Sequence, residues 1–155
     1  MKKPSRPSPK LGIRIRDIMT RDVATIGPDA TVAEAAAQMR DRDVGMLPVC
    51  DGDRLLGLFT DRDLTVRAIA GGLNPARTKV REIMTRELFF CYDHEDVREA
   101  VLSFEEKQIR RLPIVNRQKR LVGVLSIGDL AVDVGDRDLV GEVLQKISAP
   151  ERAGM

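Results

Sequence analysis

The chain has 155 residues, 43% hydrophobic and 32% charged, enough apolar content for a buried core and too much for a disordered chain. Its net charge of +2 is divided unevenly: Lys2, Lys3, Arg6 and Lys10 put +4 on the first ten residues, so the remainder carries −2 and lacks the basic footprint of a nucleic-acid-binding domain. One histidine and two cysteines leave zinc clusters, disulfide frameworks and histidine-centred triads without their residues.

Residues 1–12 are basic and carry Pro4, Pro7 and Pro9, which reads as a solvated, polyproline-like leader. No apolar run approaches the roughly 20 residues of a membrane span, and no apolar segment follows the leader, so a cytoplasmic, non-membrane protein is expected. Val23–Ile26 predicts a short strand. Thr31-Val32-Ala33-Glu34 is a capping box, and Val32, Ala35, Ala36 and Met39 follow it at helical spacing. Met46–Cys50 and Leu55–Phe59 read as a hairpin around Asp51-Gly52-Asp53. Thr60 or Asp61 opens a helix to Ala70, Gly71-Gly72 stops it, and residues 73–79 are a linker containing Asn74-Pro75.

The same elements then come round again. Asp96-Val97-Arg98-Glu99 is a cap of the same form, and Val97, Ala100, Val101 and Phe104 make the helical stripe. Leu112–Val115 and Leu121–Leu125 are strands, and Ser126 begins a helix reaching about Asp133. Leu139, Val140, Val143, Leu144 and Ile147 place an amphipathic helix within residues 135–155. Cys50 and Cys91 fall on strands, where buried inert thiols are the default; Met19 and Met84 read as core, and His94 as a solvated loop residue.

The recurrence is an internal repeat. A shift of 65 residues carries Arg16-Asp17-Ile18-Met19-Thr20-Arg21 onto Arg81-Glu82-Ile83-Met84-Thr85-Arg86, and Leu47-Pro48-Val49 onto Leu112-Pro113-Ile114. One inserted residue then makes the shift 66, and Gly57 meets Gly123 while Asp63-Leu64 meets Asp129-Leu130. A unit of about 55 residues is marginal alone, so two units sharing one core are expected, 13–72 and 80–134.

This order, Ile-Met-Thr, a capped helix, Leu-Pro-Val/Ile, then Gly-x-x-Thr/Ser-x-x-Asp-Leu, twice, resembles a tandem pair of CBS domains (the cystathionine beta-synthase repeat, or Bateman module) over about Ile13 to Val134. The resemblance implies a mixed α/β (α+β) fold of two β-α-β-β-α repeats with pseudo-twofold symmetry. It also implies a non-enzymatic sensor, with clefts between the repeats that take AMP, ADP, ATP or S-adenosylmethionine. Such a sensor signals to a protein partner and pairs as a homodimer, with no cofactor required and no metal. By the same resemblance Thr60, Asp63, Ser126 and Asp129 contact ribose and phosphate. Arg110 and Arg111 add phosphate contacts, where the first copy has Gly45 and Met46 and only Arg62 as a substitute. Ala35, Val44, Ala100 and Ile109 form the adenine wall. Physically, a carboxylate accepting both ribose hydroxyls makes two charge-assisted hydrogen bonds.

The alternatives stay open on residues alone. Ser, Thr and Asp at helix starts cap helices without any ligand. Arg110 and Arg111 are also what a solvated edge paired with Glu105 or Glu106 would carry. An empty structural or dimerisation module is the first rival; nucleic-acid binding through the leader is the second. No nucleophile stands with a base and no P-loop or GxGxxG is present, so an enzyme is not expected.

Overall fold

The computed structural model describes residues 12–149. The expectations for residues 1–11 of the leader and for the chain beyond 149 lie outside them. In chain order the helices are α1 (Ile15–Ile18), α2 (Val32–Arg42), α3 (Asp61–Asp63), α4 (Val80–Ile83), α5 (Val97–Lys107), α6 (Ile127–Asp133) and α7 (Arg137–Ser148). The strands are β1 (Met46–Asp51), β2 (Arg54–Thr60), β3 (Cys91–Tyr92), β4 (Arg111–Val115) and β5 (Leu121–Ser126). The chain divides into two compact units. The first is Asp22–Leu88 with Gln118–Leu121; the second, among the described residues, is 12–21, Phe89–Arg117 and 122–149.

In the first unit the predicted capping box is formed. The Glu34 amide donates to the Thr31 hydroxyl at 3.1 Å and the Thr31 amide to the Glu34 carboxylate at 2.8 Å. Helix α2 then buries Val32, Ala35 and Met39, the predicted stripe apart from the half-buried Ala36. It ends at Asp43 in the left-handed region, φ 54°. Strand β1 pairs antiparallel with β2, Leu47 opposite Phe59, and a bulge separates Val49 from Cys50. Val32, Ala35, Leu47, Val49, Phe59, Ala68 and Val80 lose all exposure in this core.

Two sequence expectations are corrected here. The strand expected over Val23–Ile26 shrinks to one parallel bridge, Ile26 opposite Val49, with the Ile26 amide donating to Pro48 O at 3.0 Å and the Cys50 amide to Ile26 O at 2.9 Å. The ladder stops there because its next rung needs an amide hydrogen from Pro48, which proline lacks. Pro113 stands at the equivalent place in the second unit, where β3 is likewise only two residues long. The helix expected to run from Thr60 or Asp61 to Ala70 is instead one α-turn, α3, continued by a π-helix over Leu64–Ile69, with the Ala70 amide bonded to Thr65 O at 3.0 Å.

In the second unit the sheet order is β3-β4-β5, and β3 runs parallel to β4. Helix α5 buries Val97, Ala100, Val101 and Phe104, the predicted stripe. Its cap differs from the expectation: Asp96 accepts from the Arg98 amide at 3.0 Å, one position earlier than in a capping box, and Glu99 does not reciprocate. The Arg98 amide and guanidinium on Asp96 hold its carboxyl below the ordinary range. The C-terminal helix is present as α7. It buries Leu139, Val143 and Ile147 and is tied to α5 by Lys146 Nζ on Glu105 at 2.9 Å and by the Gln108 side-chain amide donating to Lys146 O at 3.2 Å.

The units do not follow the repeats in sequence. The first Ile-Met-Thr segment builds on the body of the second repeat: the Ile15 amide donates to Glu95 O and the Arg16 amide to Asp93 O, both at 3.0 Å, and Thr20 pairs with Val124 in both directions. The second Ile-Met-Thr segment builds on the body of the first in the same pattern. There Val80 donates to Ala30 O at 2.9 Å, Arg81 to Pro28 O at 3.0 Å, and Thr85 pairs with Leu58. This exchange explains the repeated glycine of the Gly-x-x-Thr/Ser motif. A Cβ on Gly57 would stand 2.7 Å from Thr85 O, and one on Gly123 would stand 2.8 Å from Thr20 O.

Candidate functional site

Each Gly-x-x-Thr/Ser-x-x-Asp motif occupies a strand-to-helix corner. In the first unit Thr60 ends β2 in extended conformation (φ −117°, ψ 161°) and caps α3. The Asp63 amide donates to the Thr60 hydroxyl at 3.1 Å, and the Thr60 amide to Asp63 Oδ2 at 3.1 Å. In the second unit Ser126 has nearly the same conformation (φ −111°, ψ 163°) and makes the same pair with Asp129, at 3.1 and 2.8 Å. The local capping read from sequence is therefore present in both copies. Because each hydroxyl accepts from an amide, its own proton stays available for another acceptor.

The chain segment after α2, or after α5, comes to this corner. The Asp61 amide donates to Gly45 O at 3.0 Å, and the Ile127 amide to Arg110 O at 3.2 Å. So Val44-Gly45 lies beside the Thr60–Asp63 corner, and Ile109-Arg110 beside the Ser126–Asp129 corner. Arg62, Arg110 and Arg111 are exposed, Val44 is exposed, and Ile109 is half-buried against the core. Ala35 and Ala100 are 0% exposed, so neither offers surface to an adenine in this structure. The resemblance suggests them as adenine wall; both also stand on the helical stripes of α2 and α5, which face the core.

Two residues that the sequence did not mark enter the first corner. The Thr85 hydroxyl donates to the Asp63 carboxylate, 3.1 Å from Oδ1 and 3.2 Å from Oδ2. Arg67 brings Nε to 3.6 Å from Asp63 Oδ1 and donates from its guanidinium to Ile83 O and Met84 O, each at 3.3 Å. Asp63 is consequently buried, at 6% exposure. Thr85 had a signal in the repeated Ile-Met-Thr. Arg67 had one in its i, i+4 spacing from Asp63, though not in the repeat, which carries Asp133 at its place.

A cavity of about 390 Å³ in the first unit lies elsewhere, lined by Pro28, Asp29, Asp51, Leu56, Arg81, Met84 and Arg86, none of them a predicted ligand residue. Its Arg81 is already paired with Asp29 at 2.5 Å. His94 is not the solvated residue its loop suggested. Its ring tilts over Tyr92 at 5.5 Å, and Nδ1 is sealed without a hydrogen bond, 3.8 Å from Asp93 Oδ1. Among the described residues no group of three or more His, Cys, Asp or Glu side chains is placed to hold a metal ion, and no helix is long and apolar enough to cross a membrane.

Both cysteines are free and buried, and burial pushes each thiol from its ordinary 9.0 up to about 11. The expected result is no labelling of native protein by a thiol reagent at pH 8, and two labelled thiols once it is unfolded. The folded state holds these protons more tightly than the unfolded one. The thiols' contribution to stability is therefore fully present below about pH 9 and lost as pH rises toward 11. A titration of stability over that window checks the sign.

The family model described as CBS domain matches residues 15–68 and again 80–136. The CBS domain-containing protein YhcV of Bacillus subtilis is 40% identical over 134 residues, covering 86% of this chain and 94% of that protein. A crystal structure of hypoxic response protein I with two coordinated zinc ions is 35% identical, with a TM-score of 0.72 over 78% of this chain and 98% of that one. A CBS domain pair solved in complex with 5′-methylthioadenosine and S-adenosyl-L-methionine shares the fold, with 24% identity and a TM-score of 0.69 over 79% of this chain and 96% of that one. Two matched domains in tandem, built on the same repeated corner, mean that this chain belongs to the CBS domain family, as a CBS domain pair and thus a regulatory module.

Proposed function

We propose that this CBS pair is a non-enzymatic sensor, that it binds an adenosine compound (AMP, ADP, ATP or S-adenosylmethionine) and that, as a homodimer, it passes its occupancy to a protein partner. The observation that carries this reading is the twice-built corner in which a carboxylate and a hydroxyl with a free proton stand side by side, Thr60 with Asp63 and Ser126 with Asp129. A carboxylate there accepts from a ribose diol, and the hydroxyl donates to a phosphate or ribose oxygen. Val44 and Ile109, beside the corners, supply apolar surface for a base. Arg62, Arg110 and Arg111 supply cations for phosphate. That a protein of the same fold is solved with two adenosine compounds agrees with this choice of ligand.

The test is a native mass spectrum of the purified protein followed by calorimetry on ligand-free chain. A retained adenosine compound on a species of twice the chain mass is expected. Arg111→Ala should weaken AMP and ATP by more than adenosine, because its cation attracts the phosphate that adenosine lacks. Equal losses for adenosine and ATP would remove the role of Arg111. No binding of any of these compounds would leave a purely structural module.

A further inference from the structure

The two corners share a cap but not their surroundings. A carboxylate offers about four lone-pair sites. At Asp63, Oδ2 accepts from the Thr60 amide, the Thr85 hydroxyl spans both oxygens, and Arg67 Nε faces Oδ1. At Asp129 only the Ser126 amide is bonded, to Oδ2, and Oδ1 has no partner among the described residues. The repeat explains the difference. Thr20 stands where Thr85 does but is exposed and makes no side-chain hydrogen bond among the described residues. Arg67 becomes Asp133, a like charge that cannot hold a carboxylate. Backbone geometry differs as well: the helix carrying Arg67 is a π-helix, whereas the one carrying Asp133 is an ordinary α-helix.

We propose that Asp129 is the open ribose-binding carboxylate of this chain, and that Arg67 and Thr85 latch Asp63, so that the first corner takes ligand only when the latch is released. This rests on the adenosine reading above and adds an order of filling to it. A ribose diol needs two acceptor sites at once, and Asp63 already accepts from the Thr60 amide and the Thr85 hydroxyl, faces Arg67 Nε at 3.6 Å and has 6% of its surface exposed. The second corner also has a cationic residue beside it, since the Ile127 amide at the start of α6 donates to Arg110 O at 3.2 Å, where the first corner has Gly45. Arg67 joins Asp63 to the Ile83 and Met84 carbonyls, so releasing the latch also removes a side-chain tie to the second Ile-Met-Thr segment, which its backbone bonds continue to hold.

Calorimetry of the full, ligand-free chain with adenosine and AMP tests the order. The wild type should take up one equivalent per chain in the tight phase, and Asp129→Asn should weaken that phase at least about tenfold. Arg67→Met combined with Thr85→Val, which keep side-chain size, should raise the tight uptake to two equivalents. Arg67→Lys, which keeps the cation, should stay at one. Adding Asp63→Asn to the unlatched variant should remove the second equivalent again. Two equal equivalents in the wild type, or an unlatched variant that melts cooperatively yet still binds one, would overturn the latch and leave the adenosine reading standing. Absence of binding by every variant would overturn both.

Discussion

Phe104→Ala should cost about 3–5 kcal/mol of stability, the range for removing a fully buried phenylalanine. Phe104 is 0% exposed and sits in the second unit's core with Ile15, Leu112, Leu125 and Leu130. Truncation loses the transfer free energy of the ring and leaves a hole that this core cannot close, because its walls come from α1, β4, β5 and α6 at once. For a chain of 155 residues such a loss lowers the melting temperature by about 6–20 °C. Val132→Ala, on α6 but 81% exposed, should change stability by less than about 0.5 kcal/mol. Thermal melts of the two variants check the contrast, and equal shifts would mean that Phe104 is not in a packed core.

Gly123→Ala should also destabilise, although it adds only a methyl group. The new Cβ would stand 2.6 Å from Met19 Sδ and 2.8 Å from Thr20 O. The methionine end can swing aside. The Thr20 carbonyl cannot, because it accepts from the Val124 amide at 3.0 Å while the Thr20 amide donates to Val124 O at 2.9 Å. Overpacking of this kind costs about 1–3 kcal/mol. Relief by moving the Ile-Met-Thr segment away would break both bonds, so hydrogen exchange at Thr20 and Val124 should accelerate with the loss of stability. Gly141→Ala reverses the sign: no atom lies within 4 Å of a Cβ there, and alanine in a helix gains up to about 1 kcal/mol over glycine. If both alanine variants were neutral, the close approach over Gly123 would be absent in solution.

The candidate site was legible in part. Thr60, Asp63, Ser126 and Asp129 are readable from spacing because hydroxyl and carboxylate belong to one turn, and their hydrogen bonds span only three residues. Thr85 reaches Asp63 from 22 residues away, and although Arg67 lies only four residues after Asp63, nothing local to it announces that it will also reach the Ile83 and Met84 carbonyls. Ala35 and Ala100 show the opposite situation. A periodic apolar position looks the same in sequence whether it faces a ligand or the core, and only burial separates the two.

What the residues determine by themselves is what depends on neighbours in the chain: the caps at Thr31, Thr60 and Ser126, the stripes of α2 and α5, the Asp51-Gly52-Asp53 turn, and the repeat. What tertiary structure alone decided is which body each Ile-Met-Thr segment joins. The two segments are nearly identical hexapeptides, Arg16–Arg21 and Arg81–Arg86, and each body offers the same bonds to either. Pairing with one body or the other leaves no local trace, because hydrogen bonds and contacts of that kind are the same in both arrangements and only chain connectivity and the packing of the whole distinguish them. The same holds for the length of the strands beside Pro48 and Pro113 and for the π-helix over Leu64–Ile69. Beside Pro48 the missing amide donor on the partner strand overrides a local strand preference, whereas the π-helix keeps the helix that the residues state and changes only its hydrogen-bond step, as in the Ala70 amide bonded to Thr65 O.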